Sequence, residues 1–82
     1  MHEFVFKKCV KINYASEDDF VRLCAEIEHK IPELRFVRLF DDPLGDFTKQ
    51  EYTLNGKLVD VYFDWQHEEL WVRSDVDLSE FF

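Results

Sequence analysis

Glycine, proline, cysteine and positive charge are all scarce in this chain. Its only two glycines are Gly45 and Gly56, which excludes a glycine-rich loop that could cradle phosphate; both read as turn residues. The two cysteines, Cys9 and Cys24, are too few for a disulfide framework. Neither they nor His2, His29 and His67 show the spacing of a metal site, so no metal and no cofactor are expected. Lys and Arg total 10 against 18 Asp and Glu, a formal net charge of -8. That sign opposes binding to phosphate backbones, where affinity comes from cations displacing counterions, and nucleic acid is not an expected partner. No apolar run approaches the roughly 20 residues that span a bilayer, so no membrane partner is expected. Met1-His2-Glu3-Phe4 lacks a basic segment leading into an apolar one, and a cytoplasmic location is the expectation.

Aromatic residues, by contrast, are abundant. Nine Phe, three Tyr and two Trp make up 17% of 82 residues, within a hydrophobic fraction of 46%. Such a composition folds, and the length is that of a single domain over residues 1–82. With one small core, some of those rings are expected to lie outside it.

The strongest local signal is Leu54-Asn55-Gly56-Lys57, followed by Val59, Val61, Phe63 and Trp65 at every second position. Asn-Gly between alternating segments marks a type I′ hairpin, which needs positive φ at both central residues. Strands are expected over 47–54 and 57–65, with Tyr52 opposite Val59, Gln50 opposite Val61 and Thr48 opposite Phe63. Before them, the alternation from Phe4 to Tyr14 predicts a strand with its even positions buried, interrupted at Lys8 by a bulge or a sheet margin. Ser16 with Asp19 forms a helix start, and Glu17, Asp18 and Asp19 complement the helix dipole. Phe20, Leu23, Cys24, Ile27 and Ile31 then fall on one stripe, and Pro32 stops the helix near His29 or Lys30. A strand over 34–40 carries apolar residues on both faces. Asp41 to Asp46 is a loop by composition, and Gln66 to Glu69 reverses the chain into a last strand from Leu70 to about Asp75. In that last hairpin Trp65 is expected to face Leu70, and Phe63 to face Val72.

The expected fold is α+β, with element order β-α-β-β-β-β. One helix packs on one face of a mostly antiparallel five-stranded sheet. That side should receive Phe4, Phe6, Val10, Ile12, Tyr52, Val59, Val61, Phe63, Trp65 and Val72. The opposite face should carry Phe47, Leu58, Tyr62 and Trp71, with Val5 and with either Val37 and Leu39 or Phe36 and Phe40. The C-terminal Phe81 and Phe82 could fold over it. Otherwise an aromatic patch rimmed by Lys7, Lys49, Glu51, Asp60 and Arg73 reads as a protein contact, in a homodimer or with another protein.

Function is expected to be non-enzymatic protein binding through that second sheet face. An alternative is a small acidic inhibitor of immunity or antitoxin type, directed at a basic nuclease or nucleic-acid-binding protein, with Asp41, Asp42, Asp46, Asp60, Asp64, Glu68 and Glu69 as contacts. The only dense group of proton-transfer side chains is Asp64, His67, Glu68 and Glu69. Asp64 and His67 bracket a reversal and could form an acid–base pair, which makes a small enzyme a third reading, although a small turn rarely supplies a pocket or an oriented substrate.

Overall fold

A computed structural model describes residues 7–12, 14–76 and 78, with side chains for 14–76 and 78. Phe4, Phe6, Phe81 and Phe82, and with them the proposed tail cover, lie outside the described residues. The fold is α+β, one helix and an antiparallel sheet. In chain order the elements are β1 (Lys7–Ile12), α1 (Glu17–Lys30), β2 (Arg35–Asp41), β3 (Phe47–Leu54), β4 (Lys57–Asp64) and β5 (Glu69–Ser74). The strands lie in the order β1-β5-β4-β3-β2, every neighbouring pair antiparallel. β2 to β5 thus form a meander, and β1 closes the far edge against β5.

Local chemistry accounts for each boundary. Asn55 and Gly56 take φ of 51° and 80°, the left-handed pair that a type I′ turn requires, and Tyr52 faces Val59 as the two-residue loop dictates. Ser16 caps α1 through a full capping box: its hydroxyl accepts from the Asp19 amide, and the Asp19 carboxylate accepts from the Ser16 amide at 2.8 Å. α1 ends at Lys30, and the Ile31 amide makes its last bond, to the Ile27 carbonyl, before Pro32.

The core lies between α1 and one sheet face. Phe20, Leu23, Cys24 and Ile27 descend from the helix, with Ile31 just beyond it, onto Tyr52, Val59, Val61, Phe63, Leu70 and Val72, all buried. Leu78 is fully buried in the same cluster, and Val76 packs against it. The helix therefore uses the expected stripe, and the expected inner face of the central hairpin is the inner face.

Four details differ from the sequence reading. The β4–β5 hairpin pairs Phe63 with Leu70 and Val61 with Val72, where Trp65 with Leu70 was expected. The Asp64 carboxylate accepts the amides of Gln66 and His67, and Glu68 takes φ of 51°; together they set the four-residue turn one residue earlier than expected, which moves each partner by two. Because the offset is even, every side chain keeps its face. Tyr14 is exposed rather than buried, because its φ of 56° turns the chain out of the strand direction. In β1 the register irregularity falls between Lys8 and Val10, so Cys9 is the residue passed over.

The fourth concerns β2. Pairing jumps from Phe36 opposite Tyr52 to Arg38 opposite Glu51, so Val37 is an extra residue. The bulge splits the two alternatives: Phe36 and Leu39 pair with Tyr52 and Gln50 of the helix-side face, whereas Phe40 pairs with Lys49 of the second face. Apolar residues on both sides of this strand are thus one alternation shifted midway by one residue.

Candidate functional site

The second sheet face carries a row of rings that crosses four strands. Phe40 of β2 stacks on Phe47 of β3 (5.7 Å between centroids, 27° between planes). Phe47 stacks on Tyr62 of β4 at 5.1 Å and 20°, and Tyr62 on Trp71 of β5 at 6.1 Å and 27°. Offset stacking at these separations is the geometry aromatic pairs favour, and it joins the four rings into one continuous row. All four are half-buried by one another and by their neighbours. Phe47, Tyr62 and Trp71, singled out from the sequence, are therefore brought together. Leu58, the fourth, lies opposite Thr53 and lines a shallow depression of about 620 Å³ with Phe47 and Tyr62.

A row of charges runs beside the rings. Glu51 and Asp60 face one another across β3 and β4, and each is clamped by an arginine from the next strand out. Arg73 reaches Asp60 in a two-pronged bond (Nε to Oδ1 at 2.8 Å, Nη2 to Oδ2 at 2.6 Å). Arg38 approaches Glu51 at 3.2 and 3.3 Å, and Lys49 adds a contact at 3.0 Å. Burial works against ionisation of Glu51, but the bonds from Arg38 and Lys49 outweigh it and hold its carboxyl below the ordinary range. The Arg73 guanidinium also lies over the Tyr62 ring, 4.1 Å from its centroid. β1 continues the face, since the register sets Lys8 opposite Arg73 and Lys11 opposite Trp71. Among the described residues no layer lies over this face. With extents of 31 × 31 × 19 Å, the molecule is one sheet and one helix thick.

The acidic residues sort differently. Asp60 is fully buried and engaged by Arg73 in mid-strand, apart from the others. Asp41, Asp42, Asp46, Asp64, Glu68 and Glu69 gather at one end of the sheet. There the Trp65 amide donates to the Asp46 carbonyl at 3.0 Å and Gln66 Nε2 to the Asp46 carboxylate at 2.8 Å. The start of α1 joins the same end, because the Ala15 amide donates to the Glu68 carbonyl at 2.8 Å. Glu17, Asp18 and Asp19 thus add to it, which spacing along the chain did not reveal.

Asp64 and His67 do meet: Nδ1 lies 2.8 Å from Oδ2, and the Asp64 hydrogen bond and charge push the imidazole pKa up. Glu69 joins them, with one potential ligand atom of each residue within 4.8 Å of the others. Both Asp64 oxygens are already engaged, one by two turn amides and one by the imidazole, so the turn itself accounts for the cluster. His67 is exposed there, on a reversal with no enclosing wall among the described residues. Cys24 is buried against the sheet, and burial pushes its thiol up to about 11, the opposite of an activated nucleophile. No described helix is long and apolar enough to cross a membrane. Comparisons with protein-family models, with curated proteins and with solved structures return no match.

Proposed function

We propose that this protein is a non-enzymatic interaction module whose second sheet face binds protein, with self-association into a symmetric dimer as the simplest form. The four-ring row across β2, β3, β4 and β5 carries this reading. An open antiparallel face in water is ordinarily polar, whereas an apolar stripe rimmed by charge is what interfaces present. The adjoining charges suit a second copy of the chain, because they are paired within one subunit: Arg73 holds Asp60, and Arg38 and Lys49 hold Glu51. The two carboxylates of each face are thus neutralised although the whole chain carries -8. Stacked sheets pack about 10 Å apart, which would bring ring row onto ring row about a two-fold axis.

Light scattering over a concentration series, at low and high salt, tests this. A dimer that persists in high salt is expected, and Tyr62→Glu or Trp71→Glu should give a folded monomer. A wild-type chain that stays monomeric at high concentration sinks the dimer.

The acidic end supports a second reading, an inhibitor of immunity or antitoxin type acting on a basic protein. Its affinity for a basic partner would fall steeply with salt and with Asp42→Asn or Asp46→Asn. Salt-insensitive capture would count against it.

A further inference from the structure

The helix side of the sheet is only partly covered. Five strands about 4.8 Å apart make a layer roughly 24 Å wide, whereas one helix with its side chains is about 10 Å across. α1 lies over the centre, with Phe20 edge-on to Phe63 at 6.4 Å. The strip above β3 and β2 has no described helix over it. There Leu39 is 52% exposed, Phe36 58% and Val21, on the flank of α1, 61%. Between Leu39 and Val21 runs a groove of about 410 Å³, lined also by Cys24, Gln50, Thr48 and Trp65.

The groove wall is held in place by hydrogen bonds. Trp65 Nε1 donates to the Thr48 hydroxyl at 2.9 Å, and that hydroxyl donates to Asp41 at 2.7 Å. At the other end the Tyr52 hydroxyl donates to Glu28 at 3.0 Å. The groove is lined by three carboxyl side chains, Glu17, Glu28 and Asp41, and among the described residues no Lys, Arg or His lines it. Glu28 lies about three turns along α1 from Glu17, roughly 16 Å at 1.5 Å per residue.

We infer that this groove seats an amphipathic basic helix of a partner protein. Its apolar stripe would lie on Leu39, Val21 and Trp65, and its Lys or Arg residues, about three turns apart, would meet Glu17 and Glu28. One added helix about 10 Å wide fills the uncovered strip and turns one helix over five strands into two. A second copy of this chain does not fit the charge, since the first turn of its own described helix carries Glu17, Asp18 and Asp19. The inference deepens the reading of a basic partner by naming the structure that partner offers; it does not depend on the ring face.

Two synthetic peptides of about 18 residues, five helical turns, serve as probes: a leucine stripe flanked by lysines, and the same stripe flanked by glutamates. Binding is followed by the amide signals of Val21, Ala25 and Leu39 and the indole signal of Trp65. The lysine peptide should move these signals and the glutamate peptide should not. Leu39→Glu, at an exposed position that leaves the core intact, should weaken the lysine peptide about tenfold or more, as should Glu17→Gln with Glu28→Gln. Equal binding of the two peptides, or no movement at the groove, overturns the inference. Movement confined to Asp42, Asp46 and Glu68 also overturns it, while leaving a basic partner at the acidic end standing.

Discussion

Glu51 and Asp60 sit directly opposite one another on β3 and β4, two buried carboxylates on one sheet face. Like charges so placed repel, and they are tolerated because Arg38 and Lys49 serve one and Arg73 the other. The two clamps differ in burial: the Arg73 side chain is 16% exposed and that of Arg38 57%.

Their contributions to stability should therefore differ. Arg73→Met leaves Asp60 buried without its main cation and should cost about 3 kcal/mol in urea unfolding, whereas Arg38→Met removes an exposed arginine from a Glu51 that Lys49 still serves and should cost under about 1 kcal/mol. Pairing Arg73→Met with Asp60→Leu should recover most of the loss. Equal costs for the two arginines would contradict the burial difference.

Acid should destabilise the fold partly through Glu51. Its folded carboxyl holds a proton less tightly than the unfolded chain does, so its contribution is present above the ordinary carboxylate range and lost as pH falls through and below about 4. Glu51→Gln should make the acid limb of stability shallower. A limb unchanged in slope would mean the ion pairs do not form in solution.

His67 should behave with the opposite sign. Its pKa is raised by Asp64, so whatever stability the pair gives is present below about 6.5 and lost as pH rises through the folded value. Proton NMR should find His67 titrating above an ordinary histidine, and Asp64→Asn should bring it back. Unchanged titration in that variant would show that the imidazole and carboxylate are apart.

Deleting Val37 should be tolerated. Pairing is regular on either side of it, so removal leaves Phe36 opposite Tyr52 and Arg38 opposite Glu51 without the extra residue. The cost in urea unfolding should stay within about 1 kcal/mol, the scale of a substitution away from the core. A loss of several kcal/mol would mean the bulge itself is required.

Gly56→Ala isolates conformational strain. Space is open around the position, with nothing within 4 Å of an added Cβ, yet φ is 80°. The cost should be about 1–2 kcal/mol, set by backbone alone. A neutral substitution would exclude the type I′ turn.

The parts of the fold that were legible are those with a short physical range. Asn55-Gly56 specifies its own turn and with it the pairing of β3 with β4. Ser16 and Asp19 specify a helix start, and Phe20 to Ile31 an inward stripe. Phe47, Tyr62 and Trp71 share a face by alternation alone. What was not legible depends on one-residue events or on distant chain. Val37 carries no local mark of a bulge, so alternation by itself allows Phe40 on either face and does not place it at the end of the ring row. The arginine clamps needed the strand order, although Glu51 opposite Asp60 already followed from the hairpin. The acidic end needed the contact between Ala15 and Glu68, a separation of 53 residues that no periodicity can bridge.

The sheet order also fixes a sequence of events in time. β2 to β5 pair each with the next, over short loops that close quickly, but β1 must wait for β5: Ile12 finds its place opposite Leu70. Of these five strands, β1 is thus made first and partnered last. During synthesis, and in any chain cut short before Glu69, it is a strand without a mate. Two full chains in which β5 has formed while β1 is still unpaired can trade first strands, each β1 completing the β5 edge of the other.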